Sequence, residues 1–396
     1  MTLTDPYQVG ILVSDSEGNP PFADSAFYSL LTQEGNRLGL GVYVFTPSTS
    51  SLNEENEVVG YRYSAANHRW SQERLPLPDL IYDRAFYRNA RDLVQHRLVL
   101  TELRHKKSFI VLGNGLTGKW SVYQAILRAP DLKKYVPRTI RLQNASGLVP
   151  WFKHNDSAFL KLDAGTQGKG AVRILKLKNG IYEIAGRDFH NVPFEKKIDS
   201  LTALVSWFHQ FANRRYLLQP NLKLHSRSGD VYDIRSLVQK NGEGRWTLTG
   251  MAVRQGQSGS VTSNLHGGGT AQAAEPFLQS EFGTKQGEEL SVMLRRISIR
   301  IAEQLEGHFG RLAELGIDFG VDRDGRVWLI EVNSKPGRTI FQLLCDDRAR
   351  RKSLVYPMAY ASYLLKRSRD TVWRINGQRT SFPTQGLTVT NMSLSY

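Results

Sequence analysis

One cysteine, Cys345, stands in 396 residues. A lone thiol excludes an intramolecular disulfide and any cysteine-rich zinc site, and it makes a reducing cytoplasm the expected compartment. Long apolar runs are also missing. None approaches the roughly 20 residues that cross a bilayer, so no membrane span is expected. Residues 1–7 are polar and the Ile11-Leu12-Val13 run has only strand length, so no secretory leader is read at the N-terminus. Internal repeats and low-complexity linkers are absent, which leaves two or three ordinary folded domains for a chain of this length. Negative charge is the scarcer sign: 37 Asp and Glu stand against 52 Lys and Arg, a formal charge of +15. That balance favours anionic partners without choosing among nucleotides, acidic metabolites, nucleic acid and a membrane surface.

The first hundred residues alternate between strands (8–14, 41–45, 80–82) and helices (22–38, 86–105), the pattern of a small α/β layer domain. Within it, 79–84 reads as a strand end with satisfied polar groups in preference to a cleft wall. An apolar strand over 108–113 then runs into Gly113-Asn114-Gly115-Leu116-Thr117-Gly118-Lys119, the GxxxxGK spacing of a phosphate loop, ahead of a helix over 121–128. A working loop of that kind needs Ser or Thr after the lysine to reach magnesium. Here the position is Trp120, so the reading is rejected and Lys119 is kept as a nucleotide contact.

A strand over 158–163 carries Lys161, a loop follows with Gly165, Gln167, Gly168, Lys169 and Gly170, and a strand returns over 171–175. Glycines there let backbone N–H groups approach phosphate oxygens, although an ordinary glycine hairpin accounts for the same residues. A helix over 199–213, with Asp199 as N-cap, carries an aromatic stripe assigned to core. The strand 216–219 ends on Gln219. In 230–238, alternation sets Asp233 and Arg235 on one face, where an arginine fork holds a phosphate or carboxylate at two points or forms a surface ion pair. The strand 246–254 ends on Arg254, and the loop beyond it contains Asn264-Leu265-His266-Gly267-Gly268-Gly269. An esterase oxyanion loop is rejected because no GxSxG elbow accompanies that string. A helix over 288–315 presents Leu290, Leu294, Ile297, Ile301, Leu305, Leu312 and Leu315 as a buried stripe. A basic solvated run (348–352), a helix (356–366) and a strand-forming or mobile tail (372–396) complete the chain.

Chemistry concentrates in residues 318–337. Two apolar-rich runs flank Asp322-Arg323-Asp324-Gly325, a hairpin turn. With Val321 opposite Arg326, alternation puts Ile317, Phe319, Val321, Trp328, Ile330 and Val332 on a core face and Asp318, Glu331 and Asn333 on the other. Two carboxylates and an amide oxygen suit a hard cation such as Mg²⁺. A half-exposed hairpin with polar outward residues fits the same pattern.

Together these motifs resemble the ATP-grasp superfamily, in particular the YheC/YheD family of spore-coat-associated proteins. Gly118-Lys119-Trp120, the glycines of 165–170 and Glu331-Val332-Asn333-Ser334-Lys335-Pro336-Gly337 carry the likeness, which extends to about residue 365. It implies an α/β (α+β) ATP-grasp fold: an N-terminal α/β pre-grasp domain over 1–110, a first grasp subdomain with the glycine loop over 111–195, a second with the metal hairpin over 196–370, and a tail over 371–396. It implies that Asp318, Glu331 and Asn333 bind one or two Mg²⁺ ions, with Mn²⁺ as a substitute, that bridge the phosphates of ATP. Lys119 and Lys161 would contact the nucleotide, 165–170 would cover the phosphates, and Gln219 would sit at the adenine edge, where many relatives have an acidic residue. Arg235 resembles an arginine placed near the transferred phosphate, and Arg254, Asn264 and Arg338 are further catalytic candidates.

The implied activity is an ATP- and Mg-dependent carboxylate-amine ligase forming an amide through an acylphosphate, with small-molecule or peptide carboxylates and amines as substrates. Spore-coat association is implied by the same family. A phosphotransferase acting on a small acceptor and a non-catalytic nucleotide-binding coat scaffold stand beside it as alternatives. Nucleic acid is not a favoured partner, because no recognition module accompanies the charge.

Overall fold

The computed structural model describes residues 6–48, 56–87, 89–165, 168–212, 214–256 and 269–377, with the backbone alone from 369 onward. Three sheets organise them. The first comprises β1 (Gln8–Leu12), β2 (Gly41–Phe45), β3 (Glu57–Ser64), β4 (Arg69–Pro76), β5 (Leu80–Asp83) and β6 (Ile110–Val111), in the order β4-β3-β2-β1-β5-β6. Strands β2, β1, β5 and β6 run parallel. Parallel strands covered on both faces read as unbroken apolar runs, which explains Ile11-Leu12-Val13. Val9, Ile11 and Val13 pack with Tyr28 and Leu31 of the helix Ser25–Arg37, while Leu12 packs with Val99 and Leu103 of the helix Ala90–Lys106. The β3–β4 hairpin was not anticipated; its outer strand is mostly exposed and gives little apolar periodicity.

The second sheet, β7 (Ile140–Leu142), β8 (Ser157–Leu162), β9 (Val172–Lys176), β10 (Tyr182–Arg187), β11 (Pro193–Ile198) and β12 (Tyr216–Gln219), is antiparallel in the order β11-β10-β9-β8-β12-β7. The helix Leu201–Phe211 covers it through Leu204 and Phe208. Its N-cap is Ser200, whose hydroxyl accepts the Ala203 N–H at 3.2 Å, and not the expected Asp199.

The third sheet, β13 (Tyr232–Lys240), β14 (Trp246–Gln255), β15 (Thr270–Ala273), β16 (Glu314–Val321) and β17 (Val327–Asn333), is antiparallel in the order β15-β14-β13-β16-β17. The helix Thr284–Phe309 lays Leu290, Leu294, Ile297, Ile301 and Leu305 on it. That helix stops at Gly310, whose φ of 75° ends the helical run. Leu312 and Leu315 therefore reach the same core from the approach to β16 and from β16 itself, not from the helix. The last helix, Asp347–Gly377, is longer than the expected 356–366, and its continuation through Gly377 makes the start of the supposed tail helical. Met358, Ala361 and Leu365 on it share a core with Leu31 of the helix Ser25–Arg37 and Val42 of the first sheet.

A buried carboxylate also fastens the first sheet to the third. Glu314, 3 % exposed, accepts from Arg84 at 2.7 Å and Tyr82 at 2.6 Å on one oxygen, and from Gln239 at 3.0 Å and Arg338 on the other. Arg84 also donates to the Pro336 carbonyl at 3.1 Å. The expectation that 79–84 is merely a satisfied strand end is thus only half of what is found: Arg84 crosses to another sheet. Burial alone would raise the Glu314 pKa, but Arg338 and Arg84 outweigh it and lower it. Removing one member of a buried charge network leaves the others uncompensated. Glu314→Ala should cost about 3–5 kcal/mol in urea unfolding; a loss below about 1 kcal/mol would show that the network does not hold the sheets together.

Candidate nucleotide and metal site

The hairpin differs from the expected alternation in two respects. Val321 pairs with Val327 and not with Arg326, Gly320 with Trp328 and Phe319 with Leu329, and then a bulge between Asp318 and Phe319 leaves Ile330 as the extra residue. Beyond it Asp318 faces Glu331, Ile317 faces Val332 and Gly316 faces Asn333. Consequently Leu329 and Val332 are buried, whereas Trp328 and Ile330, expected in the core, are only partly buried. The bulge resets the side-chain phase. Without it, pairing carried down from Phe319 would put Glu331 on the face opposite Asp318.

Asp318 is 5 % exposed and held on both oxygens. Arg235, directly opposite on β13, donates to Oδ1 through Nε and to Oδ2 through Nη2 at 3.0 Å, and Arg254 adds a contact to Oδ2 at 2.9 Å. Arg254 is itself forked onto Asp233 at 2.6 and 2.8 Å. Burial would raise the Asp318 pKa, but the two guanidiniums outweigh it and lower it to about 2. The arginine fork read from the sequence therefore holds Asp318 itself. Arg338 lies in the Glu314 network instead, bonded to Tyr82 at 3.1 Å.

Among the described residues, no group of three or more His, Cys, Asp and Glu is placed to hold a metal. The hairpin instead offers two carboxylates and the amide of Asn333. Glu331 and Asn333 are hard oxygen donors of the kind Mg²⁺ accepts, whereas Asp318 has both oxygens bound by Arg235 and Arg254 and would have to share them with the ion.

Between the second and third sheets lies a cleft, with about 410 Å³ of space that is continuous with solvent, whose lining includes Lys119, Tyr123, Thr139, Lys161, Gln219 and Glu331. Its walls are apolar, with Leu217 from β12 and Leu329 and Val332 from β17. The Leu329 N–H donates to the Tyr135 carbonyl at 2.7 Å, which ties the hairpin edge to the segment carrying Thr139. Lys161 donates to the Ile330 carbonyl at 2.8 Å, so the bulged residue also seats this lysine. Lys119 donates to the Gly165 carbonyl at 2.5 Å and lies 3.4 Å from Glu331. Gln219, 8 % exposed, donates to Thr139 at 2.7 Å.

Gly168 and Gly170 have φ of 74° and 70°, a backbone that favours glycine, and Lys169 between them is exposed. Gln167 and Asn264 lie outside the described residues. The rejected phosphate loop also has a structural explanation: its helix, Lys119–Leu127, is capped by Asp163, whose carboxylate accepts the Trp120 N–H at 2.9 Å. Sequence reasoning missed Asp163, Tyr123 and Thr139 as parts of the site. Asp163 lies 43 residues from Trp120 and only the fold joins them.

Residues 108–364 match the family described as YheC/D like ATP-grasp. The chain belongs to that family. Among YheC/D relatives, the Endospore coat-associated protein YheC of Bacillus subtilis (strain 168) is 28 % identical over 314 residues, 78 % of this chain and 84 % of the relative. The Endospore coat-associated protein YheD of the same organism is 27 % identical over 370 residues, 89 % of this chain and 78 % of that one. In three dimensions this YheC/D chain is similar to D-alanyl-alanine synthetase A from Vibrio cholerae, with a TM-score of 0.52 and 12 % identity over 91 % of this chain and 99 % of the other. That likeness shows the ATP-grasp fold. Among the described residues, no helix is long and apolar enough to cross a membrane.

Lys161 provides a test of the cleft's electrostatics. Burial, only partly offset by Glu331, lowers its pKa to about 8 from an ordinary 10.5. Between those values the unfolded chain holds a proton that the folded protein lacks, so stability should rise as pH goes from 8 to 10.5. Comparing urea midpoints across that range, Lys161→Met should lose this rise and be the more stable protein at pH 7; an unchanged slope would contradict the cause given.

Proposed function

We propose that this protein is an ATP- and Mg²⁺-dependent carboxylate-amine ligase. The observation that carries the reading is the pairing of Asp318 with Glu331 beside a cleft into which Lys119 and Lys161 also face. The adenine enters against Tyr123 and Leu217, with Gln219 at its edge. Lys119, Lys161 and the loop at 165–170 hold the phosphates, Lys169 adding charge from solvent. Asp318, Glu331 and Asn333 hold one or two Mg²⁺ ions, or Mn²⁺, which when bound neutralise charge on the phosphate oxygens. Arg235 and Arg254 fix the Asp318 carboxylate, Arg338 steadies the loop behind Asn333, and Asn264 belongs to the acceptor side.

The substrate carboxylate attacks the γ-phosphorus of ATP, the bond to the ADP oxygen breaks, and an acylphosphate forms. An amine then attacks the acyl carbon, loses its proton to solvent and expels phosphate, leaving an amide. The chain's contribution is placement and charge neutralisation, so no covalent nucleophile is required. Small molecules or peptides supply both substrates, and the spore-coat association in the names of YheC and YheD is carried over to a cytoplasmic enzyme.

Hydroxylamine intercepts an acylphosphate as a hydroxamate. With ATP, Mg²⁺ and a broad panel of acids, wild type should yield an acid-dependent hydroxamate, and Asp318→Asn and Glu331→Gln should each lower the rate about 100-fold or more. A phosphoester product would mark a phosphotransferase, and nucleotide binding with no turnover across the panel would mark a scaffold.

A further inference from the structure

Gly118-Lys119, the end of the rejected phosphate loop, serves a carboxylate of the chain itself. The first N–H groups of a helix have no partner within it and offer a place to an anion. In the helix Lys119–Leu127, Asp163 takes that place. Its Oδ1 accepts the Trp120 N–H at 2.9 Å, and its main-chain oxygen accepts the Lys119 N–H at 3.2 Å. The helix start therefore offers the cleft the Lys119 side chain, and not its own N–H groups.

Gly118 permits the close approach. Its φ of 138° favours glycine, and a Cβ there would stand 3.3 Å from Asp163 Oδ1. Asp163 is held in turn by its own N–H, which donates to the Arg215 carbonyl at 3.0 Å. Arg141 on β7 lies 3.3 Å from Oδ2. That ion pair offsets the charge of a carboxylate standing two residues from the cleft lysine Lys161.

Lys119 is bonded to the same short stretch at both of its ends. Its main chain meets Asp163, while Nζ donates to the Gly165 carbonyl at 2.5 Å and lies 3.4 Å from Glu331. A long lysine side chain loses much rotamer freedom when its tip is fixed, so the position of its main chain decides where the ammonium group can reach. A helix start displaced by about 1 Å would carry Nζ away from both the glycine loop and the metal hairpin.

We propose that Asp163 is the positioning residue for Lys119: it sets where the lysine's ammonium group meets the nucleotide phosphates. The assignment rests on the reading of the cleft as an ATP site, and it concerns nucleotide binding in place of the reaction that follows.

Calorimetric titration of the full chain with a non-hydrolysable ATP analogue and Mg²⁺ tests it. Asp163→Ala removes the cap and Gly118→Ala crowds it, and each should weaken binding about tenfold. Asp163→Asn keeps an oxygen for the Trp120 N–H and should bind within about threefold of wild type. In a Lys119→Met background, itself about tenfold weaker, either alanine substitution should cost less than about twofold more, because the effect runs through the lysine. Where Asp163→Ala fails to fold, Gly118→Ala carries the same comparison. Wild-type affinity in the folded alanine variants, full additivity with Lys119→Met, or Asp163→Asn as weak as Asp163→Ala would each overturn the assignment. Hydroxamate formation reports the ligase reading separately. Hydroxamate with binding insensitive to the cap removes the positioning role alone, the expected binding pattern without hydroxamate removes the ligase reading alone, and no analogue binding by wild type removes both.

Discussion

The single extra residue at Ile330 is the constraint on which the candidate site depends. A strand pair alternates its faces with period 2, so one insertion changes which residues share a face for everything beyond it. Here the tip half of β17 follows one phase, with Val327 and Leu329 inward, and the base half follows the other, with Val332 inward and Glu331 set across from Asp318. The same insertion frees the Ile330 carbonyl for Lys161. Carboxylate juxtaposition and lysine placement thus have one geometric cause, and both serve the cleft between the second and third sheets.

Charge pairing maintains that geometry. Asp318 is buried among arginines that neutralise it, and Arg254 is in turn neutralised by Asp233. Desolvating so many charges is costly, and the arrangement persists because each has a geometrically matched partner. Glu314, at the start of the same strand, plays the corresponding part towards the first sheet by gathering Arg84, Arg338, Tyr82 and Gln239. Strand β16 therefore carries a buried carboxylate at each of two levels. One is joined to the first sheet and the other faces Glu331, while Lys335, just after β17, bonds Asp83 at the end of β5.

Much of this was legible in the sequence, and the rest was hidden for identifiable reasons. The α/β layers, the core face of the long helix and the grouping of Asp318, Glu331 and Asn333 follow from periodicity and turn chemistry. The bulge does not, because an inserted residue in a strand leaves the composition unchanged. The turn register was also read one residue off, with Val321 opposite Arg326 and not Val327, which put Trp328 and Ile330 inward; that shift and the bulge together amount to two residues, so Asp318 and Glu331 still share a face. Gly310 ends a helix whose apolar spacing runs on into Leu312 and Leu315, so periodicity alone overran it. Partner identity was the deeper loss. Arg235 could be seen as a fork, but its partner lies 83 residues away in β16, and Arg84 meets Glu314 across 230 residues. The pairing of Asp233 with Arg254, 21 residues apart across the β13–β14 hairpin, needed a register that the strand pattern left open.

The central claim is that the phosphoryl group moves from ATP to a carboxylate and can return. ATP carrying oxygen-18 in the β,γ-bridge reports that step directly, because reversible cleavage lets the label rotate into a non-bridging β-position. Incubated with enzyme, Mg²⁺ and the acid substrate but no amine, the label should scramble in an acid-dependent manner and stop when the acid is withheld. Net ADP formation with a phosphoester product and no acid-dependent scrambling would contradict the account.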